Sequence, residues 1–266
     1  MPPLLFRAPV VERRDYGCAS EVVFRVPPGF SLHPGQFLHL LCEGEGRIVR
    51  RPFSVFRHRG ETASVLVREA GGGSAWLRRR RPGDELDVLG PLGRGFDPPV
   101  EGEEVILVAG GVGVAPLACL GRWLRERGGR VTFLWGMESG AEYGTLPEVL
   151  AEELDLRLAT ADGSRGEEGT VLDLLPPKTP PVGRRYYACG PRPMLLALAE
   201  RLSPGGLSSL QVSVEERMAC GLGACRGCAV PAADPPGGYL AACRDGPVFR
   251  GEELDWHRLR GSGLES

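Results

Sequence analysis

The chain has 266 residues, 42% of them hydrophobic and 25% charged, with a formal net charge of −2; that is enough apolar material for a sizeable core in roughly two domains, with no overall pull toward nucleic acid or an anionic membrane. Its 39 glycines and 24 prolines, about 24% of the chain, call for many tight turns and exclude a helical bundle. Of the 32 basic residues all but Lys178 are arginine, and Lys178 lies among prolines in LLPPKTPP, so a GxxxxGK[ST] phosphate loop and a Schiff-base lysine are both excluded.

The N-terminal stretch MPPLLFRAPVVERRDYG meets proline, arginine and glutamate too early for a signal-peptide core. Short apolar stretches then follow at residues 22–26, 36–42, 53–56, 62–67 and 86–89, separated by the turn signals PPG, HPG, EGEG, HRG and RPGD. Strands this short and this closely spaced predict a small β-barrel, with no long amphipathic helix in the first hundred residues. The segment FDPPVEGEE, residues 96–104, reads as a boundary. Beyond it VILVAGG is a strand ending in glycines, followed by a helical stretch to Arg127; VTFLWG, LDLRLAT, RRYYACG and LQVSV are further strands, with PRPMLLALAERL a helix. Strands alternating with helices predict a parallel α/β sheet. The longest uncharged run, residues 105–121, carries four glycines and Pro116 and falls short of the ~20 apolar residues of a spanning helix. A soluble, cytoplasmic protein is expected. The charged stretch LGRWLRERGGR is expected to solvate a helix, and His33, His39, His58 and His257 are expected to be surface or packed imidazoles. No internal repeat is evident.

After Val214 the regular pattern stops. Cys220, Cys225, Cys228 and Cys243 crowd into 24 residues, whereas Cys18, Cys42, Cys119 and Cys189 are scattered. A tight cluster in a chain without an export signal points to a metal centre rather than a disulfide framework. The spacing C-x4-C-x2-C-x14-C is that of plant-type [2Fe–2S] proteins, and Gly221, Gly223 and Gly227 let backbone N–H groups approach the cluster. A structural zinc site is the competing reading, but zinc more often takes two matched C-x2-C halves.

Two further sites suggest nucleotide binding. Arg51, Pro52, Phe53 and Ser54 lie on a predicted barrel strand, followed by Leu66, Val67 and Arg68 and then by Gly71-Gly72-Gly73-Ser74. Arg51 offers charge-assisted donors to a pyrophosphate, and Gly73 and Ser74 backbone and hydroxyl donors; taken alone, the GGGS turn also reads as a flexible hairpin. Downstream, AGGVGVAP (Gly110, Gly111, Gly113) opens a helix directly after a strand, and CGPRPM (Cys189, Gly190, Pro191) supplies a second loop on the same carboxyl edge of the sheet, where doubly wound folds bind ligands. Close strand–helix packing is the other reading of those glycines.

The combination RPFS, GGGS, PGDELDVLGPLGRGF, AGGVGVAP, TADGSRG and CGPRPM resembles the ferredoxin–NADP reductase superfamily over almost the whole chain to Val214. MACGLGACRGCAV…CRDGPVF is similar, more narrowly, to the electron-transfer subunits of two-subunit, NAD-linked (class 1B) dihydroorotate dehydrogenases. The resemblance implies a Greek-key-like barrel binding one FAD (residues 1–99), a Rossmann-like domain binding NAD(H) (100–212) and a small [2Fe–2S] lobe (213–266). Carried over residue by residue, it assigns Arg51, Pro52, Phe53, Ser54, Leu66, Val67, Arg68, Gly73 and Ser74 to the flavin, with Ser74 replacing a threonine and Phe53 replacing a tyrosine common in the superfamily. It assigns Gly110, Gly111, Gly113, Cys189, Gly190 and Pro191 to the nicotinamide nucleotide, and the four clustered cysteines to the metal. It also implies a partner, an FMN-containing catalytic subunit, in a heterotetramer with two copies of each chain. A flavin converts two-electron hydride chemistry to one-electron chemistry, so it belongs between NAD(H) and the cluster. The alternative is a subunit of a related NAD(P)H:ferredoxin oxidoreductase or sulfide dehydrogenase.

Overall fold

The computed structural model describes residues 1–43, 49–176, 183–202 and 205–261. Lys178 and most of the EGEG turn lie outside the described residues.

Six antiparallel strands close into a barrel: β1 (Leu4–Asp15), β2 (Ala19–Arg25), β3 (Phe37–Leu41), β4 (Arg51–Arg59), β5 (Thr62–Arg68) and β6 (Glu85–Leu92), in spatial order β1-β2-β5-β4-β3-β6. Alternate residues point inward, so Ala8, Val10, Phe24, Leu38, Leu40, Val55, Val65, Val67 and Val88 fill the interior, and closure leaves no unpaired edge. β1 was not foreseen as a strand. Its apolar residues are interrupted by Arg, Pro and Glu because most of its side chains face solvent, and only Ala8 and Val10 reach the core. The glycine run before Ser74 is not a hairpin: it opens α1 (Gly72–Arg78), a seven-residue helix that lays Ala75 and Leu77 on the barrel. The register slips by one residue between Phe37 and His39 where β3 meets β6, a bulge beside what proves to be a functional surface.

The second unit carries β7 (Glu104–Gly110), α2 (Val114–Arg125), β8 (Val131–Met137), α3 (Leu146–Ala151), β9 (Asp155–Thr160), β10 (Glu167–Glu168), β11 (Arg184–Cys189), α4 (Arg192–Leu202) and β12 (Leu210–Ser213). Its strands are parallel in the order β10-β9-β8-β7-β11-β12. The central strands are apolar throughout because both faces are covered. Ile106, Val108, Tyr186 and Ala188 face one core, while Val105, Leu107, Ala109, Tyr187 and Cys189 face the other. Strand order reverses between β7 and β11, so the ends of those strands flank the crevice where a doubly wound sheet takes its ligand.

The C-terminal segment forms a small hairpin, β13 (Ala229–Pro231) with β14 (Tyr239–Ala241), then β15 (Val248–Arg250) and α5 (Trp256–Gly261). β15 pairs antiparallel with β12, Val212 opposite Phe249, and so extends the larger sheet. The cysteine-rich stretch buries apolar groups: Cys228, Val230, Ala242 and Cys243 join the core that holds Phe37, Leu92 and Met218.

The barrel and the sheet are clamped by charge. Arg122 of α2, in the stretch expected to solvate a helix, is only 7% exposed. It donates to Glu153 Oε2 at 2.5 Å and to the Phe56 carbonyl of β4 at 3.0 Å, while Arg57 of β4 donates to Glu153 Oε1 at 2.9 Å. The 96–104 boundary is pinned as well, since Tyr187 Oη donates to the Asp97 carbonyl at 2.9 Å and Asp97 N to Gln211 Oε1 at 2.9 Å.

Candidate functional site

Two clefts meet between these units. The first encloses roughly 970 Å³ open to solvent and is walled by β4 (Pro52, Phe53, Ser54), β5 (Leu66, Arg68), Ser74 of α1, Val112 and Ala115 at the start of α2, and residues 213–216 with Met218. The second, roughly 1190 Å³, lies at the carboxyl edge of the sheet against Gly110, Gly111, Gly136, Glu138, Thr170, Pro191 and Met194. Arg68 lines both and bonds Glu142 Oε2 at 2.7 Å, so the clefts adjoin at its side chain. Neighbouring clefts of this kind suit two planar groups brought face to face for hydride transfer.

The flavin residues expected from sequence divide by strand alternation. Pro52, Phe53, Ser54, Leu66, Arg68 and Ser74 line the first cleft, but the Val67 side chain is fully buried in the barrel core, which leaves only its backbone to serve the cleft. Arg51 is exposed and lies against Gly73: a Cβ on Gly73 would fall 3.3 Å from Arg51 Cγ. Arg51 and the glycine turn are thus together, as a phosphate site requires. The Ser74 hydroxyl, however, already donates to the Gly71 carbonyl at 2.9 Å and accepts from Ala70 N and Gly71 N. Among the described residues, Arg51 Nη1 donates only to the carbonyls of Val49 and Arg50. Arg51→Ala is therefore expected to weaken FAD retention by ~10–100-fold, the value of one or two charge-assisted bonds, without unfolding the parallel-sheet domain; flavin content after dialysis checks it.

At the sheet edge the glycines have distinct physical roles. A Cβ on Gly110 would fall 2.7 Å from Pro191 Cδ and Met194 Sδ, and one on Gly190 2.9 Å from Gly110 Cα, so these two let the β7 and β11 loops close together. Gly113 lies outside both clefts; a Cβ there would be 2.1 Å from the Cys189 carbonyl oxygen, and its glycine serves strand–helix packing. Cys189 is buried, and burial followed by the charge of Glu215 pushes its thiol well up. Glu215 is exposed on the first cleft, and desolvation by the protein around it pushes its carboxyl up.

The cysteine loop borders the same cleft through Met218. It is wound by left-handed residues at Gly221 (φ +71), Gly223 (φ +79) and Arg226 (φ 57); Arg226, not Gly227, makes the third turn. Backbone donors converge on sulfur: Gly223 N on Cys243 Sγ at 3.0 Å, Leu222 N and Cys225 N on Cys220 Sγ at 3.4 and 3.5 Å, and Gly227 N on Cys225 Sγ at 3.5 Å. The amides of Cys225 and Leu222 pull the Cys220 thiol down to about 6, toward the thiolate a metal needs, while burial pushes Cys243 up to about 12. The thiols associate in pairs, Cys220 with Cys225 and Cys228 with Cys243. Among the described residues no three metal-ligating side chains close on one ion. Two thiol pairs with N–H groups aimed at sulfur fit a binuclear centre held by two thiolates on each iron.

Residues 215–255 match the family model of the iron-sulfur cluster binding domain of dihydroorotate dehydrogenase B. Over 228 residues the chain is 39% identical to the dihydroorotate dehydrogenase B (NAD(+)) electron transfer subunit of Bacillus caldolyticus, covering 83% of this chain and 86% of that one. The chain belongs to this family. The electron transfer subunit of Shouchella clausii is 42% identical over 225 residues, 81% of this chain and 84% of the relative. Among solved structures, that of the NADH-dependent reduced ferredoxin-NADP oxidoreductase superposes with a TM-score of 0.80 at 27% identity, covering 96% of this chain and 91% of the other. A dihydroorotate dehydrogenase B electron transfer subunit is an oxidoreductase component that works with a catalytic subunit. Among the described residues no helix is long and apolar enough to cross a membrane.

Sequence reasoning missed Phe37, Val112, Glu215, Glu216 and Met218 as walls of the first cleft. They arrive from distant segments that only the folded chain brings together.

Proposed function

We propose that this electron transfer subunit holds FAD in the cleft of Pro52, Phe53, Ser54, Leu66, Arg68 and Ser74, with Arg51 and Gly73 on its phosphates; receives NAD(H) against Gly110, Gly111, Gly190 and Pro191, with Cys189 and Gly113 behind them; and carries [2Fe–2S] on Cys220, Cys225, Cys228 and Cys243. The functional division is barrel 1–99, sheet 100–212 and cluster lobe 213–266. What supports it above all is adjacency: Arg68 lines both clefts, and Met218, two residues before Cys220, lines the first. Bound there, a flavin supplies the exchange between hydride and single electrons. The chain's own residues do the rest. Gly110 and Gly190 admit the nucleotide, the Phe37 and Phe53 wall excludes water, and the cysteine loop takes electrons outward past Leu222, which is 51% exposed beside Cys220.

The partner in this reading is an FMN-bearing catalytic subunit, two copies of each chain, acting in the cytoplasm in pyrimidine (UMP) biosynthesis. Dihydroorotate gives up two electrons and two protons there; the electrons pass through this chain to NAD+, which takes them together with one proton as hydride, and the other proton is released. A substrate barrel of ~250 residues would need a chain of its own. Purified protein should contain one FAD and one [2Fe–2S] per chain by absorbance, iron and acid-labile sulfide, and stoichiometric zinc without sulfide would overturn the cluster. Dihydroorotate-driven NAD+ reduction should be nil with this chain alone and appear when the FMN subunit is added. Full activity from the single chain would refute the two-subunit reading. Exchange with a ferredoxin, and none with any FMN subunit, would favour the alternative of an NAD(P)H:ferredoxin oxidoreductase or sulfide dehydrogenase subunit.

A further inference from the structure

His39 stands between the flavin cleft and the cysteine loop, and no role described so far uses it. It lies on β3, 0% exposed, opposite Pro52 of the flavin strand on one side and Leu89 of β6 on the other. Phe37, two residues earlier, meets its ring edge-on at 6.2 Å and lines the flavin cleft. Beyond the ring lies Gly221, where a Cβ would fall 2.6 Å from His39 Nδ1 and 3.1 Å from Cε1. The segment carrying Cys220 therefore crosses the imidazole at a residue without a side chain.

Among the described residues, neither ring nitrogen of His39 has a hydrogen-bond partner. Fully buried imidazoles are seldom left so, because each unpaired group forfeits its hydration. Burial, then the charge of Arg50, pushes the ring down to about 4, so it is neutral, with one donor and one acceptor nitrogen. Suitable groups are at hand. The backbones of Met218 and Arg50 lie close enough to favour a proton on the ring, though outside hydrogen-bond geometry, and Gly221 faces Nδ1. Met218 and Gly221 flank the first cysteine, Cys220.

We propose that His39 is a positioning residue for the iron–sulfur centre: anchored on the barrel, its ring hydrogen-bonds the backbone of segment 218–221 and sets the cysteine loop against the flavin strand. The role rests on the reading that the chain carries FAD and [2Fe–2S]. A fixed separation governs one-electron transfer between the two sites, and hydrogen bonds around the sulfurs govern the potential of the cluster. The His39–Gly221 contact acts on both.

The test uses the full-length chain under anaerobic conditions, with His39→Leu and His39→Asn beside the wild type. Flavin and cluster bleaching by NADH are followed separately, and the reduced cluster is examined by EPR and redox titration. Both variants should bleach flavin at the wild-type rate. In His39→Leu, electron passage to the cluster should slow by ~10-fold or more, as expected when a positioning contact is lost, with an altered EPR signal and midpoint potential. His39→Asn, whose amide can occupy the place of Nδ1, should recover most of the rate and the signal. Wild-type transfer and EPR in His39→Leu would overturn the proposal, as would equal damage in both variants, since His39 would then only fill space. If His39→Leu does not retain its cluster, His39→Asn decides alone: a retained cluster with a near-wild-type EPR signal supports the proposal, and loss of the cluster there as well overturns it. A wild-type chain without FAD or the [2Fe–2S] signal would bring down the underlying reading itself, and the role of His39 with it.

Discussion

Cys225→Ser will stop electron delivery to the catalytic partner while NADH still bleaches the bound flavin. Cys225 is the exposed member of the thiol set, and it pairs with Cys220, whose thiol the loop amides already draw toward the thiolate. A serine hydroxyl at that position is a hard, weakly acidic donor that serves iron poorly in a soft sulfur cage. Loss of an outer-shell contact alone typically costs 10–100-fold in metal affinity, so loss of a ligand should cost at least ~100-fold in coupled dihydroorotate:NAD+ turnover. The flavin cleft should be spared: Cys225 is not among its walls, and the C-terminal lobe lines that cleft through residues 213–216, Met218 and Pro247. Stopped-flow absorbance separates flavin bleaching from onward transfer. Coupled turnover near the wild-type rate, with iron and sulfide intact, would remove Cys225 from the cluster.

Arg122→Ala is expected to give the largest loss of stability among single changes between the barrel and the sheet. Arg122 makes a 2.5 Å bond to Glu153 and a 3.0 Å bond to the Phe56 carbonyl, and its guanidinium sits 4.5 Å over the Phe56 ring. Removing one partner of a buried ion pair costs ~3–5 kcal/mol. Arg57 still holds Glu153 at 2.9 Å, which places the expected loss nearer ~2–3 kcal/mol, a drop in melting temperature of roughly 5–10 °C for a chain of this size. Arg122→Met, which restores packing on Phe56 without a charge, should recover part of it. The pH dependence follows from Glu153. Burial raises its carboxyl, but the hydrogen bonds from Arg57 and Arg122 outweigh burial and hold it below the ordinary value. The folded chain thus binds the proton less tightly than the unfolded one. The clamp's contribution is complete above the unfolded value of ~4.3 and is lost as pH falls through the lower folded one. Unfolding curves from pH 7 to 3 should steepen their loss below about pH 4.5 in the wild type and less so in Arg122→Ala.

Much of the architecture could be read from the residues alone, and the reasons are local. Short runs of Val, Leu and Phe between PPG, HPG and HRG require short strands, and apolar runs ending in AGG and ACG require buried parallel ones. The C-x4-C-x2-C spacing places three thiols on one glycine-rich turn whatever the rest of the chain does. RPFS and AGGVG mark the two cleft walls because each is a contiguous stretch whose backbone does the work.

Other features depend on residues far apart in sequence that meet only when the barrel, the sheet and the cysteine loop pack together. Val67 turns into the barrel while Leu66 and Arg68 reach the cleft, a choice made by the register of β5 against β2 and β4. Gly113 is required for packing because the Cys189 carbonyl of β11 closes on it. Arg122 reads as a solvated charge until β4 supplies Phe56 and Arg57 beside it. His39 reads as an ordinary strand residue until Gly221, 182 positions away in numbering, crosses its ring. Sequence fixes what a segment does with its own neighbours through strand period, turn chemistry and ligand spacing; which side chains share a cleft, a clamp or a cofactor loop is decided by burial, and burial exists only in the folded chain.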